Sequence, residues 1–370
     1  MGTLYDYIKW RGDLTFLEAP LNEVDSLIFS LLSYLDLKGI VPEIPAKGSV
    51  PIKAAANSFF AKNPDYKKIS MGLIVPKEII LLFRALKDTK RFRNVNMRAH
   101  VNVIDLEKEM QFSATTFFPG DGSAVIAFRG TDDTLVGWKE NLKMSFLPSV
   151  PAQQAALEYL TEIADACEED LVLAGHSKGG NLAVYAGVKS ESKIQKRILR
   201  IWNHDGPGFQ QDFMHSDEYF KVRPLIRTLL PQASFVGMLL VHEEKYTVIK
   251  SRQQGLWQHN GLNWEVMGGS FVHLPAISEE SLRTDKTLNE WINTMTPEQR
   301  EVFVESLYYV LTADNNTTLT DVSAAGMRWL AKSKELDPHV RKTVQEVLGA
   351  LFNVNAKNIF GDIFPKNPKK

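Results

Sequence analysis

The strongest local constraint in this chain lies between Asp170 and Val188. There a short continuous apolar run, Asp170-Leu-Val-Leu-Ala-Gly175, ends in Gly175-His176-Ser177-Lys178-Gly179 and passes directly into a run of helical character, Gly180 to Val188. An unbroken apolar run of this length reads as a strand buried on both faces of a parallel sheet. Glycines two before and two after a serine permit a sharp strand-to-helix turn, because backbones approach there too closely for a Cβ, and the turn lifts the hydroxyl clear of the sheet. The same glycines could serve a plain packing turn. A phosphate-binding loop is a worse match, since no Gly-Lys-Ser/Thr follows. Ser177 is therefore the candidate nucleophile.

The surrounding pattern alternates strand and helix. Val101 to Ile104, Phe112 to Phe118 and Ala124 to Phe128 are β-rich runs, the last two parted by the turn signal Pro119-Gly120-Asp121-Gly122. Ala152 to Cys167 reads as a helix before the elbow, and Ile198 to Asn203, Phe235 to Leu240 and Tyr246 to Lys250 read as strands after it. Near the start, Val24, Leu27, Ile28, Leu31, Leu32 and Leu35 follow helical spacing, which predicts a helix over Glu23 to Leu37 and then a proline-rich loop. This alternation predicts an α/β class with a mostly parallel central sheet flanked by helices. Beyond about Pro275 the texture turns helical. Thr296-Pro-Glu-Gln opens one expected helix, Thr318 to Ser333 forms another and Asp337 to Phe352 a third, before a frayed tail from Pro365 to Lys370. The expected division is a main domain over 1–275, with an N-terminal helical lead-in, and a helical appendage over 276–370.

Charge excludes several function classes. Lysine and arginine number 43 against 44 acidic residues, a net charge of −1 that provides no field for a nucleic-acid backbone or an anionic lipid. The single cysteine, Cys167, has no internal partner for a disulfide, and the charged N-terminus lacks the apolar run of a signal peptide, so a cytoplasmic location is expected. No apolar stretch approaches the roughly 20 residues needed to span a bilayer. The Met-Gly-Thr-Leu-Tyr-Asp start lacks the hydroxyl residue of a myristoylation signal. No His and carboxylate pattern of the H-E-x-x-H kind is present, and neither metal nor cofactor is expected.

Ala127-Phe-Arg-Gly-Thr131, with Trp138 and Asn141-Leu142 and the later Gly-His-Ser-Lys-Gly-Gly, resembles the class 3 (fungal-type) lipases and a bacterial lipase-like branch of them, over Val101 to Val266. The resemblance implies an α/β-hydrolase fold, with the backbone N–H groups of Thr131 and Lys178 as the oxyanion hole. It departs from the lipases at Lys178, where they usually carry leucine, and at Gly137, where they usually carry aspartate. The lysine is expected to bring a cation near the pocket mouth.

A serine needs a histidine to take its proton and a carboxylate to orient that histidine, in the chain order Ser, Asp or Glu, His on this fold. Asp205, in Asn203-His204-Asp205-Gly206-Pro207-Gly208, leaves the next strand at the carboxyl edge of the sheet, as in the pancreatic-type lipases. Its competing role is a local turn cap. Glu243 is the other candidate acid. Among the later histidines, His259 lies in a loop after the last predicted strand, between Trp257 and Trp264. His242 and His273 remain alternatives, His273 reading as a partly buried core residue and His215 as a surface one. His176 and His204 each precede a proposed catalytic residue and should point to the opposite face.

The expected chemistry is hydrolysis of a small-molecule ester or lipid through an acyl-enzyme. The competing readings are a thioesterase or acyltransferase on the same site, and a catalytically silent fold that binds through its helical C-terminal region. Leu135, Val136, Trp138, Leu142, Met144, Phe146 and Leu147 interleave with charges in a way that fits a lid and a packed amphipathic helix equally.

Overall fold

Apolar runs too short for helices and too continuous for surface strands build the centre of the molecule. The computed structural model describes residues 1–44, 48–279 and 295–352. Its strands are β1 (Val50–Pro51), β2 (Asn96–Asp105), β3 (Met110–Phe118), β4 (Ser123–Phe128), β5 (Asp170–His176), β6 (Ile198–His204), β7 (Ile226–Pro231), β8 (Tyr246–Ile249), β9 (Val266–Met267), β10 (Ser270–Phe271) and β11 (His273–Leu274). Nine of them form one sheet in the order β1-β2-β3-β4-β5-β6-β7-β8-β11, while β9 and β10 pair separately. From β4 to β8 the pairings are parallel, and the strands on either side pair antiparallel.

The two faces of the sheet are covered by different helices because successive side chains alternate sides. Val125, Ala127, Val172 and Ala174 face a cluster fed by α1 (Leu4–Arg11), α2 (Glu23–Leu32), α3 (Ile52–Lys62) and α4 (Glu78–Leu86). Their neighbours Ala124, Ile126, Phe128, Leu171 and Leu173 join the opposite cluster. After α5 (Leu135–Lys143) come the helices of that second face, α6 (Pro151–Ala166) and α7 (Lys178–Lys189). A third cluster joins Leu135 of α5 to Phe303, Val304, Leu307, Leu311, Val322 and Trp329 of the C-terminal helices, with Trp138, Leu142 and Phe146 packed against it. Of the apolar residues between Thr131 and Pro148, Leu135, Trp138, Leu142 and Phe146 therefore pack against the C-terminal helices. No helix among the described residues is long and apolar enough to cross a membrane.

The N-terminal helices are locked by a buried ion pair. Asn22 caps α2 by accepting from the Val24 and Asp25 backbone N–H groups. The Asp25 carboxylate takes two bonds from Arg91, Nε at 2.9 Å and Nη2 at 2.5 Å, and one from the Tyr7 hydroxyl at 2.8 Å. Arg91 Nη1 also donates to the Ala19 carbonyl at 3.0 Å, and its guanidinium lies 3.9 Å from the centre of the Phe16 ring. Both charged side chains are fully buried. Removing one partner strands the other charge, so Arg91→Met is expected to cost about 3–5 kcal/mol in urea unfolding. Adding Asp25→Asn should recover a large part of that loss. A single variant as stable as the parent would show that the pair does not hold this layer.

The described elements differ from the sequence expectations in places. Phe235 to Leu240 is not a strand. It contains a 3₁₀ turn, Val236–Met238, with Leu240 at φ 65°, and the strand lies earlier, at β7. Short apolar runs carry little periodicity with which to separate the two. The helix expected to Leu37 ends at Leu32, where the Ser30 and Ser33 hydroxyls donate back to the Ser26 and Ser30 carbonyls and compete with the helical ladder. The helix expected over Thr318 to Ser333 is two, Leu319–Ala325 and Arg328–Ser333, parted by Gly326 at φ 64°. Helices Pro297–Leu311 and Pro338–Phe352 lie within a residue or two of their expected starts. Residues 280–294 of the helical region and the tail from Pro365 lie outside the described residues.

Candidate active site

The turn from β5 into α7 holds Ser177 at φ 59°, ψ −134°, a conformation that side-chain-bearing residues seldom adopt. The turn is forced by the close crossing of strand and helix. A Cβ on Gly175 would collide with the Gly179 carbonyl group, and one on Gly179 with the Phe128 carbonyl. The Ser177 backbone N–H donates to the His204 carbonyl at 2.9 Å, tying the elbow to the end of β6.

Directly after β6, Asp205 also has positive φ, 53°, and its N–H donates to the Leu229 carbonyl of β7 at 2.9 Å. Its carboxylate is fully buried. Oδ2 lies 2.6 Å from His259 Nδ1, and Oδ1 accepts a hydrogen bond from the Ser234 hydroxyl. The Gly237 N–H in turn donates to Ser234 Oγ at 3.1 Å, which orients that hydroxyl toward the carboxylate. His259 ends the 3₁₀ turn Gly255–His259 after β8. The preceding Gln258 is pinned at both ends, its Oε1 accepting from the Ala233 N–H at 2.9 Å and its carbonyl from Trp264 Nε1 at 2.9 Å.

His176 has a place that its position in the sequence did not suggest. Its ring lies 4.6 Å from the His259 ring, centre to centre, and its Nε2 is 2.7 Å from the His259 carbonyl oxygen. Burial, followed by the neighbouring His259, pushes its pKa well below the usual histidine value. It is therefore neutral, with the proton on Nε2 as the carbonyl acceptor requires, leaving Nδ1 to accept from the Tyr34 hydroxyl at 3.3 Å. His204 is buried on Ser26 Oγ at 2.9 Å, and burial lowers its pKa to about 3. His176 therefore does not point away from the candidate site but forms the floor beneath His259.

Thr131, 5% exposed, lies in the loop after β4, and its Oγ1 accepts from Asn141 Nδ2 at 2.5 Å. Lys178 is the first residue of α7, so its backbone N–H belongs to the group that a helix leaves without an intrahelical acceptor. Its side chain corrects an expectation. Far from placing a cation at a pocket mouth, the ammonium is buried, 2.8 Å from Glu140 Oε2 and 2.7 Å from the Gln111 carbonyl. A buried amine needs a partner, and the partner lies inward on α5.

The alternative residues are committed elsewhere. His242 Nδ1 lies 2.8 Å from Glu244 Oε1. Burial of the Glu244 carboxyl is outweighed by hydrogen bonds from His242, Thr228 and Tyr219, which bring its pKa to about 2. Glu243 faces the exposed His215 at 2.9 Å. His273 is not a core residue. It sits on edge strand β11 with its side chain 48% exposed, 2.9 Å from Glu23.

The structure thus gathers Ser177, Asp205 and His259 at the carboxyl ends of β5 and β6 and the loop after β8, joining two of them directly. Among the described residues no hydrogen bond links Ser177 Oγ to His259. Sequence reasoning missed Ser234, Tyr34 and Glu140, none of which carries a local signal. No curated protein matches the chain. Residues 86–309, with the elbow, Asp205 and His259 among them, match the model of the Mbeg1-like family, a lipase-like family, and because the match spans more than half of the sequence the protein belongs to that family.

Proposed function

We propose that the protein is a serine hydrolase of the α/β-hydrolase fold that cleaves a carboxylic ester, with Ser177 as nucleophile, His259 as base and Asp205 as the carboxylate that orients it. The observation that carries this reading is the buried Asp205–His259 contact of 2.6 Å beside a serine held at φ 59° on a strand-to-helix turn. Two acceptor bonds on one buried carboxylate, from His259 Nδ1–H and Ser234, keep the imidazole in the tautomer whose Nε2 can accept a proton. Ser177 Oγ attacks the ester carbonyl as His259 Nε2 takes its proton. The tetrahedral oxyanion is held by the Thr131 and Lys178 N–H groups. The imidazolium then protonates the departing alcohol, and water, deprotonated by the same histidine, releases the acid. Membership of a lipase-like family favours an acyl ester over a charged peptide.

A fluorophosphonate probe tests this. The full chain is expected to label, and Ser177→Ala is expected to abolish labelling. A folded chain that takes no label even with detergent present would defeat the hydrolase reading in favour of a silent binding protein.

A further inference from the structure

The buried pair of Lys178 and Glu140 calls for a reason beyond stability. Glu140, with no exposed surface, receives the Lys178 ammonium at 2.8 Å, the Gln111 N–H at 3.1 Å and the Ala152 N–H at 2.7 Å. Lysine and glutamate are seldom fully buried, and a cation at the N-terminus of α7 opposes the helix dipole. Apolar residues of similar volume commonly serve as well as a buried ion pair.

What the pair adds is a tether between α5 and the first residue of α7. The next residue on α5, Asn141, donates to Thr131 Oγ1 at 2.5 Å. Two consecutive side chains of one helix therefore grip the two residues whose backbone N–H groups make up the proposed oxyanion hole. The helix itself is anchored, since Lys139 donates to Glu109 at 2.5 Å and to Glu305 of the C-terminal helix Pro297–Leu311 at 2.7 Å.

We propose that Glu140 is a positioning residue of the oxyanion hole, holding the Lys178 backbone N–H in register with that of Thr131 through the buried ammonium. This rests on the serine-hydrolase reading above. Misalignment should weaken the transition state and leave ground-state binding alone, because the oxyanion forms only during reaction.

The test is steady-state hydrolysis of a short-chain p-nitrophenyl ester by the full chain and by the charge-neutral double variant Glu140→Gln/Lys178→Met, with circular dichroism to verify folding. The expected result is a kcat lower by about 10- to 100-fold with KM within about twofold, a part of the 10²–10³ lost when an oxyanion donor is removed outright. Inhibition by a trifluoromethyl ketone, which forms a tetrahedral adduct, should weaken in parallel. Glu140→Asp, which keeps both charges but withdraws the carboxylate by one methylene, serves if the double variant does not fold, and should show the same split. Unchanged kcat in a folded variant, or a change confined to KM, overturns the proposal while the hydrolase reading stands. A wild-type chain that neither turns over nor labels removes both.

Discussion

Ser177→Gly is expected to make the protein more stable and to remove its turnover. A non-glycine residue at φ 59°, ψ −134° carries about 1–3 kcal/mol of backbone strain, which the surrounding β5–α7 crossing imposes. Glycine adopts this conformation without that cost but loses more chain entropy on folding, about 0.5–1 kcal/mol. The net expectation is a gain of about 1 kcal/mol in urea unfolding. Against this, removal of a nucleophile that acts as one unit with its base costs about 10⁶ in kcat. Ester hydrolysis and unfolding measured on the same preparation separate the two effects. A variant no more stable than the parent would mean that the turn is relaxed around serine, and retained turnover would mean that another group is the nucleophile.

Asp205→Asn is expected to lower kcat by about 10⁴, the scale seen when an orienting carboxylate is replaced by its amide. The reason lies in the second oxygen. Ser234 donates to Oδ1, which draws the amide oxygen to that side and turns the NH₂ toward His259 Nδ1. The imidazole must then carry its proton on Nε2, where it needs a free lone pair to accept the serine proton. Ser234→Ala in the same chain frees the amide to rotate, and the double variant should regain part of the loss. A drop of less than tenfold in Asp205→Asn would leave Asp205 as the turn cap that its sequence context also allowed, and the absence of recovery in the double variant would remove Ser234 from the explanation.

Features of this protein whose cause is local are legible in its sequence. Gly175 is required by a backbone crossing with Gly179, four residues on, and the helices that begin after Asn22 and Thr296 follow from side chains that cap the N–H groups beside them. The strand that follows β6 is not legible in the same way. Ile226–Pro231 and Phe235–Leu240 are both short and apolar, and what separates them is that the first lies between β6 and β8. Such pairing depends on the sheet and leaves no period in the chain.

The candidate site divides in the same way. Ser177, Asp205 and His259 stood out by residue type, order and neighbours, but their distances are set by where three strand ends emerge. The inward course of the Lys178 side chain depends on Glu140, 38 positions earlier, and the contact of His176 with His259 spans 83 positions. Local geometry is encoded within a few residues of itself because sterics and capping act over a few ångströms of chain. Which buried charge finds which partner, and which ring lies under which, is a property of the folded arrangement, because desolvation makes each buried polar group pair with whatever the packed layers bring within reach.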